Sequence, residues 1–88
     1  MFTGIIEEKG TLKSIQSDTQ SARLTIRAQT VLKDTKVGDS IATNGICLTV
    51  TDMTAETFTV DVMYETLRKS TLKHKRAGDT LNLERALT

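Results

Sequence analysis

GDSIATNGICLTVTD, residues 38–52, contains the clearest strand–turn–strand pattern in the chain. Gly38-Asp39 and Asn44-Gly45 are turn signals, and each precedes a short run rich in apolar and β-branched residues. In CLTVT, residues 47–51, apolar side chains occupy alternate positions. Because a strand has a side-chain period of two, one face should be apolar and the other should carry the Cys47 thiol and two threonine hydroxyls. For an arbitrary protein, this pattern describes a half-exposed strand with a small cysteine.

The same alternation occurs in three further runs, at residues 21–28, 57–62 and 80–85. Residues 2–15 predict one long bent strand, with a bulge near Gly10 where the alternation breaks. Residues 29–35 and 64–72 show no period of two and predict short helical turns. The similar segments VGDSI and AGDTL indicate reused turn chemistry rather than an internal repeat.

Six short strands with glycine-centred turns and two brief helical connections predict an all-β fold, a small closed antiparallel barrel. Closure removes strand edges that a domain of this size could not otherwise cover. The chain has 88 residues, no proline and no linker-like segment, so we expect a single domain over residues 1–88.

The composition argues against several classes of function. With 12 basic and 11 acidic side chains the net charge is +1, and the aromatic residues are one tyrosine and two phenylalanines, so we expect no nucleic-acid partner. Cys47 is the only cysteine and His74 the only histidine, so we expect neither a disulfide nor a metal site. No apolar run approaches ~18 residues and no signal pattern opens the chain, so we expect a soluble, cytoplasmic protein.

Several segments together resemble the N-terminal half of riboflavin synthase: MFTGI (1–5), GDSIATNGICLTVTD (38–52), FTVDVMYETLRKSTL (58–72) and AGDTLNLERA (77–86). The resemblance covers essentially the whole chain. It implies a six-stranded Greek-key barrel from an enzyme that joins two molecules of 6,7-dimethyl-8-ribityllumazine, giving riboflavin and a pyrimidinedione without a metal or organic cofactor. It also implies a second barrel, a C-terminal helix and a trimer. Neither the second barrel nor the helix is present here, so we expect this barrel alone to bind lumazine or riboflavin with little turnover.

The resemblance further implies a ligand site built from three segments: Gly4, Ile5 and Ile6; Cys47, Leu48 and Thr49; Asp61, Val62, Met63, Tyr64, Glu65 and Thr66. It places Glu65 and Thr66 at the ribityl hydroxyls and ring edge, and Ser40 and Cys47 near the reacting carbons. A neutral heterocycle with a polyhydroxylated chain needs an apolar slot and hydrogen-bond partners, which these residue types supply. Cys47 is a candidate nucleophile or acid–base group, although water or a ribityl hydroxyl could make the addition.

Other interpretations of these residues remain open. Thr49 and Thr66 are also typical strand and helix-cap residues, and Glu65 suits the first turn of a helix. A non-catalytic lumazine protein, which only binds lumazine or flavin, is the alternative function. In those relatives the cysteine tends to lie one position earlier, whereas the order Ile46, Cys47 here matches the enzyme. We expect the isolated barrel to form a homodimer through the surface that would meet a second barrel.

Overall fold

In the structure, a computed structural model, six strands close into one antiparallel barrel. The described residues are 2–86; Met1, Leu87 and Thr88, which the predicted domain 1–88 includes, lie outside them. The strands are β1 (Glu8–Ser17), β2 (Ser21–Arg27), β3 (Ser40–Thr43), β4 (Ile46–Met53), β5 (Thr57–Met63) and β6 (Thr80–Arg85). One α-helix, α1 (Tyr64–Arg68), and two 3₁₀ turns, Thr30–Leu32 and Thr71–His74, complete the fold.

Around the barrel the strand order is β1-β2-β5-β4-β3-β6, with every neighbouring pair antiparallel. Strands β3, β4 and β5 follow one another as hairpins, and β6 returns by a long connection to lie beside β3. This arrangement is a Greek key. The predicted all-β closed barrel is therefore confirmed, with its strand number and topology.

The Asn44-Gly45 signal forms the turn that it predicts. Asn44 has φ of 49° and Gly45 has φ of 82°, and Thr43 pairs with Ile46 across the turn. Two central residues with positive φ characterise the type I′ hairpin, whose twist matches that of the flanking strands. This turn sets the register of β3 and β4, which fixes the face on which Cys47 lies.

The start of the first strand differs from the prediction. Strand β1 begins at Glu8, so the strand expected from residue 2 is wrong over residues 2–7. Gly4 in this segment has φ of 84°, which lies outside the φ range of a β-strand. The register shift lies between Leu12 and Ser14, not at Gly10. Gly10 stays in regular pairing because its missing side chain lets β1 pass close to the core: a Cβ there would lie 2.5 Å from Leu83 Cδ1.

The inside of the barrel is filled by apolar side chains from all six strands. Its fully buried members are large and mostly branched, and they include Leu12, Leu24, Ile26, Ile41, Val50, Phe58, Val60, Val62, Leu81 and Leu83. Val31 and Leu72, from the two 3₁₀ turns, are buried against the same cluster. A filled interior leaves the outer surface as the place where a ligand can bind.

The helical connections are shorter than the sequence predicts. The expected helical segment at residues 64–72 divides into α1 and a separate 3₁₀ turn, with Ser70 accepting a hydrogen bond from the Leu72 N–H between them. The reused turns are confirmed, since Asp39 and Asp79 each accept a 2.9 Å bond from the backbone N–H three residues earlier. Within residues 2–86, no helix is long and apolar enough to span a bilayer.

Candidate functional site on the outer face of the barrel

Strand β4 separates apolar and polar side chains onto opposite faces, as its sequence predicts. Leu48 and Val50 are buried inside the barrel, whereas Cys47, Thr49 and Thr51 are exposed on its outer face. The polar face of this strand is therefore on the exterior, and any ligand that meets the Cys47 thiol must bind there.

A groove of about 270 Å³ begins where β4 and β5 separate. Their pairing runs from Met53–Phe58 to Val50–Val60, and the described ladder continues no further between these two strands. Beyond that point β4 pairs with β3 and β5 pairs with β2. The groove is lined by Cys47, Leu48, Thr49, Thr51, Asp61, Val62, Met63 and Thr66.

Main-chain groups of β4 face this groove. Val50 donates its N–H to the Asp39 carbonyl, on the β3 side. Because alternate residues of a strand direct their N–H and C=O groups to opposite sides, those of Cys47 and Thr49 point toward β5. The strand thus presents peptide donors and acceptors, as well as a thiol and a hydroxyl, to a bound molecule.

The same argument applies to β5. Tyr64 donates its N–H to the Gln20 carbonyl, on the β2 side. The main-chain groups of Asp61 and Met63 are therefore directed toward β4. Two strand edges with peptide groups turned toward each other form a slot that suits the edge of a flat, hydrogen-bonding heterocycle.

The predicted second and third segments meet at this groove, but not every member lines it. Leu48 and Val62 line the groove although their side chains are largely buried. Thr66 lines the groove from α1, whereas Tyr64 and Glu65 are not among its lining residues. Met63 occupies the N-cap position of α1, so Thr66 is not the helix cap.

Asp61, which lines the groove, and Glu65, which lies near it on α1, both form ion pairs. Asp61 accepts a 3.1 Å bond from Arg23 Nε, across from β2. Glu65 pairs with Arg68 at 2.7 Å and with Lys69 at 3.1 Å, on the surface of α1. These exposed pairs leave the groove suited to a neutral ligand.

A second concavity, of about 530 Å³, adjoins the groove at Cys47. It is lined by Phe2, Glu7, Lys33, Asp34, Thr35, Asp39, Ser40, Cys47, Arg85 and Ala86. Ser40 pairs with Thr49, so it lies diagonally across from Cys47 on the outer face of the β3–β4 hairpin. The predicted pair of Ser40 and Cys47 is thus brought together, with Cys47 bordering both concavities.

One wall of the second concavity is an Arg–carboxylate pair. Arg85 donates from Nε to Glu7 Oε1 at 2.9 Å and from Nη2 to Oε2 at 3.0 Å, and its backbone N–H adds a third bond to Glu7. The side-chain bonds from Arg85, followed by the backbone bond, hold the pKa of Glu7 below its ordinary value. Arg85 also donates to the Lys33 carbonyl, which ties the wall to the connection between β2 and β3.

The first predicted segment lies apart from the groove. Gly4 and Ile6 line a different concavity and Ile5 a third, and Ile5 and Ile6 are 68% and 52% exposed. The segment is held by Glu84, whose carboxylate accepts bonds from Thr3 and Gly4.

Phe2 and Glu84 were missed at the sequence level. Glu84 occupies an ordinary outward position of β6, and its partners are some 80 residues away in the chain. Within the described residues, no group of three or more histidine, cysteine, aspartate or glutamate side chains is arranged to hold a metal ion.

A family model described as the lumazine binding domain matches residues 3–86. This chain belongs to the lumazine-binding domain family. The lumazine-binding domain is 53% identical over 87 residues to a riboflavin synthase of Bacillus subtilis (strain 168), a match that covers 99% of this chain and 40% of the relative. It is 46% identical over 88 residues to a riboflavin synthase of Schizosaccharomyces pombe, covering 99% of this chain and 42% of the relative. The chain therefore spans about two fifths of the length of these curated relatives.

Solved structures share the fold of this lumazine-binding domain. The crystal structure of LumP complexed with riboflavin superposes with a TM-score of 0.90 at 16% identity, covering 97% of this chain and 47% of that chain. LumP complexed with 6,7-dimethyl-8-(1'-D-ribityl) lumazine gives the same TM-score and identity, covering 97% and 49%. At this level of identity the likeness establishes the barrel architecture alone.

Proposed function

We propose that this domain is the N-terminal barrel of a riboflavin synthase and that it binds lumazine or riboflavin on its outer face. The observation that carries this proposal is the identity of about half the residues, over nearly the whole chain, with riboflavin synthases. The groove between β4 and β5 supports it, because an exterior slot lined by peptide groups, hydroxyls and a thiol matches a neutral, hydrogen-bonding heterocycle.

In this proposal the ring lies over Cys47 and Thr49, with its edge bonded to the main-chain groups that β4 and β5 leave free. Thr66 is placed to bond the ribityl hydroxyls, and the exposed Met63 covers apolar ring surface. Glu65 directly precedes Thr66 in α1. Its carboxylate can bond a ribityl hydroxyl only if it gives up its ion pairs with Arg68 and Lys69. The domain needs no metal or organic cofactor for this binding.

The reaction of the full-length enzyme joins two lumazines by moving a four-carbon unit from one to the other. Deprotonation of a ring methyl group on one lumazine and addition of a nucleophile to the other are the required steps. The resemblance to riboflavin synthase assigns Ser40 and Cys47 to the reacting carbons, and both residues line the second concavity on the outer face of the β3–β4 hairpin. Cys47 serves as nucleophile or acid–base group, with water and a ribityl hydroxyl as the competing nucleophiles.

The second lumazine requires a second barrel, and the trimer of the full-length family requires the C-terminal helix. The isolated domain should therefore bind one ligand, turn over little or none, and pair with its own copy through the surface that would meet a second barrel. Sedimentation velocity over a wide concentration range should show a homodimer; monomer throughout would contradict the pairing. We place the protein in the cytoplasm, with lumazine and riboflavin as its small-molecule partners.

A flavin carrier without catalysis is the competing function. The LumP structures, which hold riboflavin, FMN or lumazine, share the barrel at 16% identity. The synthases match at about three times that identity. The order Ile46, Cys47 supports the enzyme through the resemblance stated from the sequence. Fusing this barrel to the second barrel of a related synthase and assaying lumazine consumption separates the two functions: riboflavin formation supports the enzyme, and binding without turnover supports the carrier.

Riboflavin titration tests the binding proposal directly. We expect the domain to quench or shift flavin fluorescence in a saturable way. Thr66→Val, which removes a hydroxyl from the groove, should weaken binding several-fold, since one hydrogen bond contributes about 1 kcal/mol. Thr19→Val, in the exposed β1–β2 turn, is the matched control and should bind as the unmodified domain does. Absence of any spectral change at high protein concentration would refute the proposal.

A further inference from the structure

A buried carboxylate at the end of β6 holds the N-terminal segment onto the barrel. Glu84 is only 7% exposed although it lies on the outer face of its strand. Its Oε2 accepts bonds from the Thr3 N–H at 2.6 Å and the Thr3 hydroxyl at 2.9 Å, and its Oε1 accepts one from the Gly4 N–H at 3.1 Å. Both oxygens are therefore satisfied by residues that precede β1.

These hydrogen bonds offset the free-energy cost of burying the Glu84 carboxylate away from water. A buried carboxylate that lacks hydrogen-bond partners is strongly unfavourable, so the burial of Glu84 depends on the segment that covers it. The Thr3 hydroxyl, while donating to Glu84, also accepts the Ile5 N–H at 3.1 Å, which extends the fixed conformation by two residues. Four residues after Thr3, Glu7 forms the second attachment through Arg85. The two attachments leave Ile5 and Ile6 exposed between them.

This fixed segment lies on the same outer face as the Cys47 thiol. Glu84 pairs with Ala42 of β3, and Ala42 pairs with Cys47 of β4. Neighbouring strands are ~4.8 Å apart, so Glu84 and Cys47 are separated by roughly 10 Å. A flat ligand that extends from the groove across Cys47 and over β3 meets the Gly4–Ile6 segment at its far end.

We propose that Glu84 is a positioning residue of the ligand site. It does not touch the ligand; it fixes Thr3 and Gly4 so that the exposed Gly4–Ile6 segment forms a rigid wall for the heterocycle. This inference rests on the proposed function, because it assigns a role within the same flavin or lumazine site. Without the carboxylate, the segment has to be ordered when ligand binds, and that ordering reduces affinity.

Glu84→Gln is the informative variant, because the amide preserves the size of the side chain but replaces one acceptor oxygen with a donor. That NH₂ group would face a backbone N–H of Thr3 or Gly4. We expect amide hydrogen exchange at Thr3, Gly4 and Ile5 to accelerate in the ligand-free domain, and riboflavin affinity to fall about tenfold, the effect of losing a hydrogen bond to a charged group. Glu56→Gln, at the exposed β4–β5 turn, is the matched control and should change neither.

A coupling experiment separates positioning from general stabilisation. In the double variant Ile5→Ala, Ile6→Ala the wall contributes little contact, so adding Glu84→Gln should reduce affinity less than it does in the unmodified domain. An equal reduction in both backgrounds would overturn the proposal, as would faster exchange without any loss of affinity. Thr3→Ala, at an exposed position that does not support the core, should act in the same direction with a smaller effect.

The same titrations distinguish failure of this inference from failure of the proposed function. If the unmodified domain does not bind riboflavin, the proposed function fails and this inference fails with it. If the unmodified domain binds and Glu84→Gln binds equally well, only the positioning role is refuted.

Discussion

The interior of the barrel and the outer face of the β3–β4 hairpin use the same strands for different purposes. Inward residues such as Ile41, Leu48 and Val50 are almost completely buried, whereas Cys47 and Thr49 are exposed. Stability therefore depends on one face of each strand and ligand chemistry on the other. Substitutions inside should change unfolding free energy, and substitutions outside should change binding.

The largest stability effect should come from Phe58→Ala. Phe58 is fully buried in the barrel, so its truncation removes apolar contacts and leaves a cavity. We expect a loss of about 3–5 kcal/mol in chemical unfolding. Thr49→Ala, on the outer face, should cost less than about 1 kcal/mol by the same measurement. Similar losses for the two variants would contradict the separation of the faces.

Gly10→Ala should cause the next largest loss of stability. The added Cβ would lie 2.5 Å from Leu83 Cδ1 and 2.9 Å from the Arg27 carbonyl oxygen, so side chain and backbone must both move. A loss of about 1–3 kcal/mol in unfolding free energy is expected from this overpacking. Lys9→Ala, at the neighbouring exposed position, is the control and should be nearly neutral. A neutral Gly10→Ala would show that β1 does not pass as close to β6 as the structure indicates.

Thr43→Val should stabilise the domain by about 1 kcal/mol. Thr43 is fully buried, and its hydroxyl has no hydrogen-bond partner within the described residues. Valine has a similar shape and removes the unpaired hydroxyl. Thermal unfolding measures the change, with Thr25→Val, whose hydroxyl contacts Thr59 on the outer face, for comparison. A destabilised Thr43→Val would mean that the hydroxyl is satisfied in solution.

The smallest expected effect is on the pH dependence of stability, through Glu7. The pKa of Glu7 is lowered in the folded state by its hydrogen bonds from Arg85, so the stability that it contributes is fully present above its ordinary value of 4.5. This contribution is lost as the pH falls through that value toward the lower folded pKa. Glu7→Gln should therefore reduce stability near neutral pH and make unfolding less sensitive to acid below about pH 5. Parallel pH profiles for the two proteins would contradict this role.

The sequence predicts most of the barrel because its signals are local. Alternation in β2, β4 and β5, and the Asn44-Gly45 turn, act over a few residues, and the structure confirms them. The error at residues 2–7 has a non-local cause: Glu84 and Arg85 hold this segment from the other end of the chain. The bulge predicted near Gly10 is wrong for a similar reason. Position 10 requires a residue without a side chain because Leu83, on a neighbouring strand, lies so close to it.

The candidate site shows the same division. Strand alternation alone predicted the polar face that carries the Cys47 thiol. The grouping of Ser40 with Cys47 came from the resemblance to riboflavin synthase, and the observed hairpin register lays Ser40 diagonally across from Cys47. The groove itself forms where β4 separates from β5, and no pattern in the sequence predicts where that pairing ends. The wall beyond Cys47 depends on the buried Glu84, which in the sequence is an ordinary strand glutamate.

Protection of Cys47 from alkylation by riboflavin is the most direct test of the central claim, that ligand binds on the outer face over this residue. Cys47 is the only cysteine in the chain and is exposed, so thiol modification reports on one position. Alkylation should slow markedly at riboflavin concentrations that saturate the fluorescence titration, and the rate should recover when riboflavin is removed. An unchanged alkylation rate at saturating riboflavin would show that the ligand binds elsewhere on the barrel.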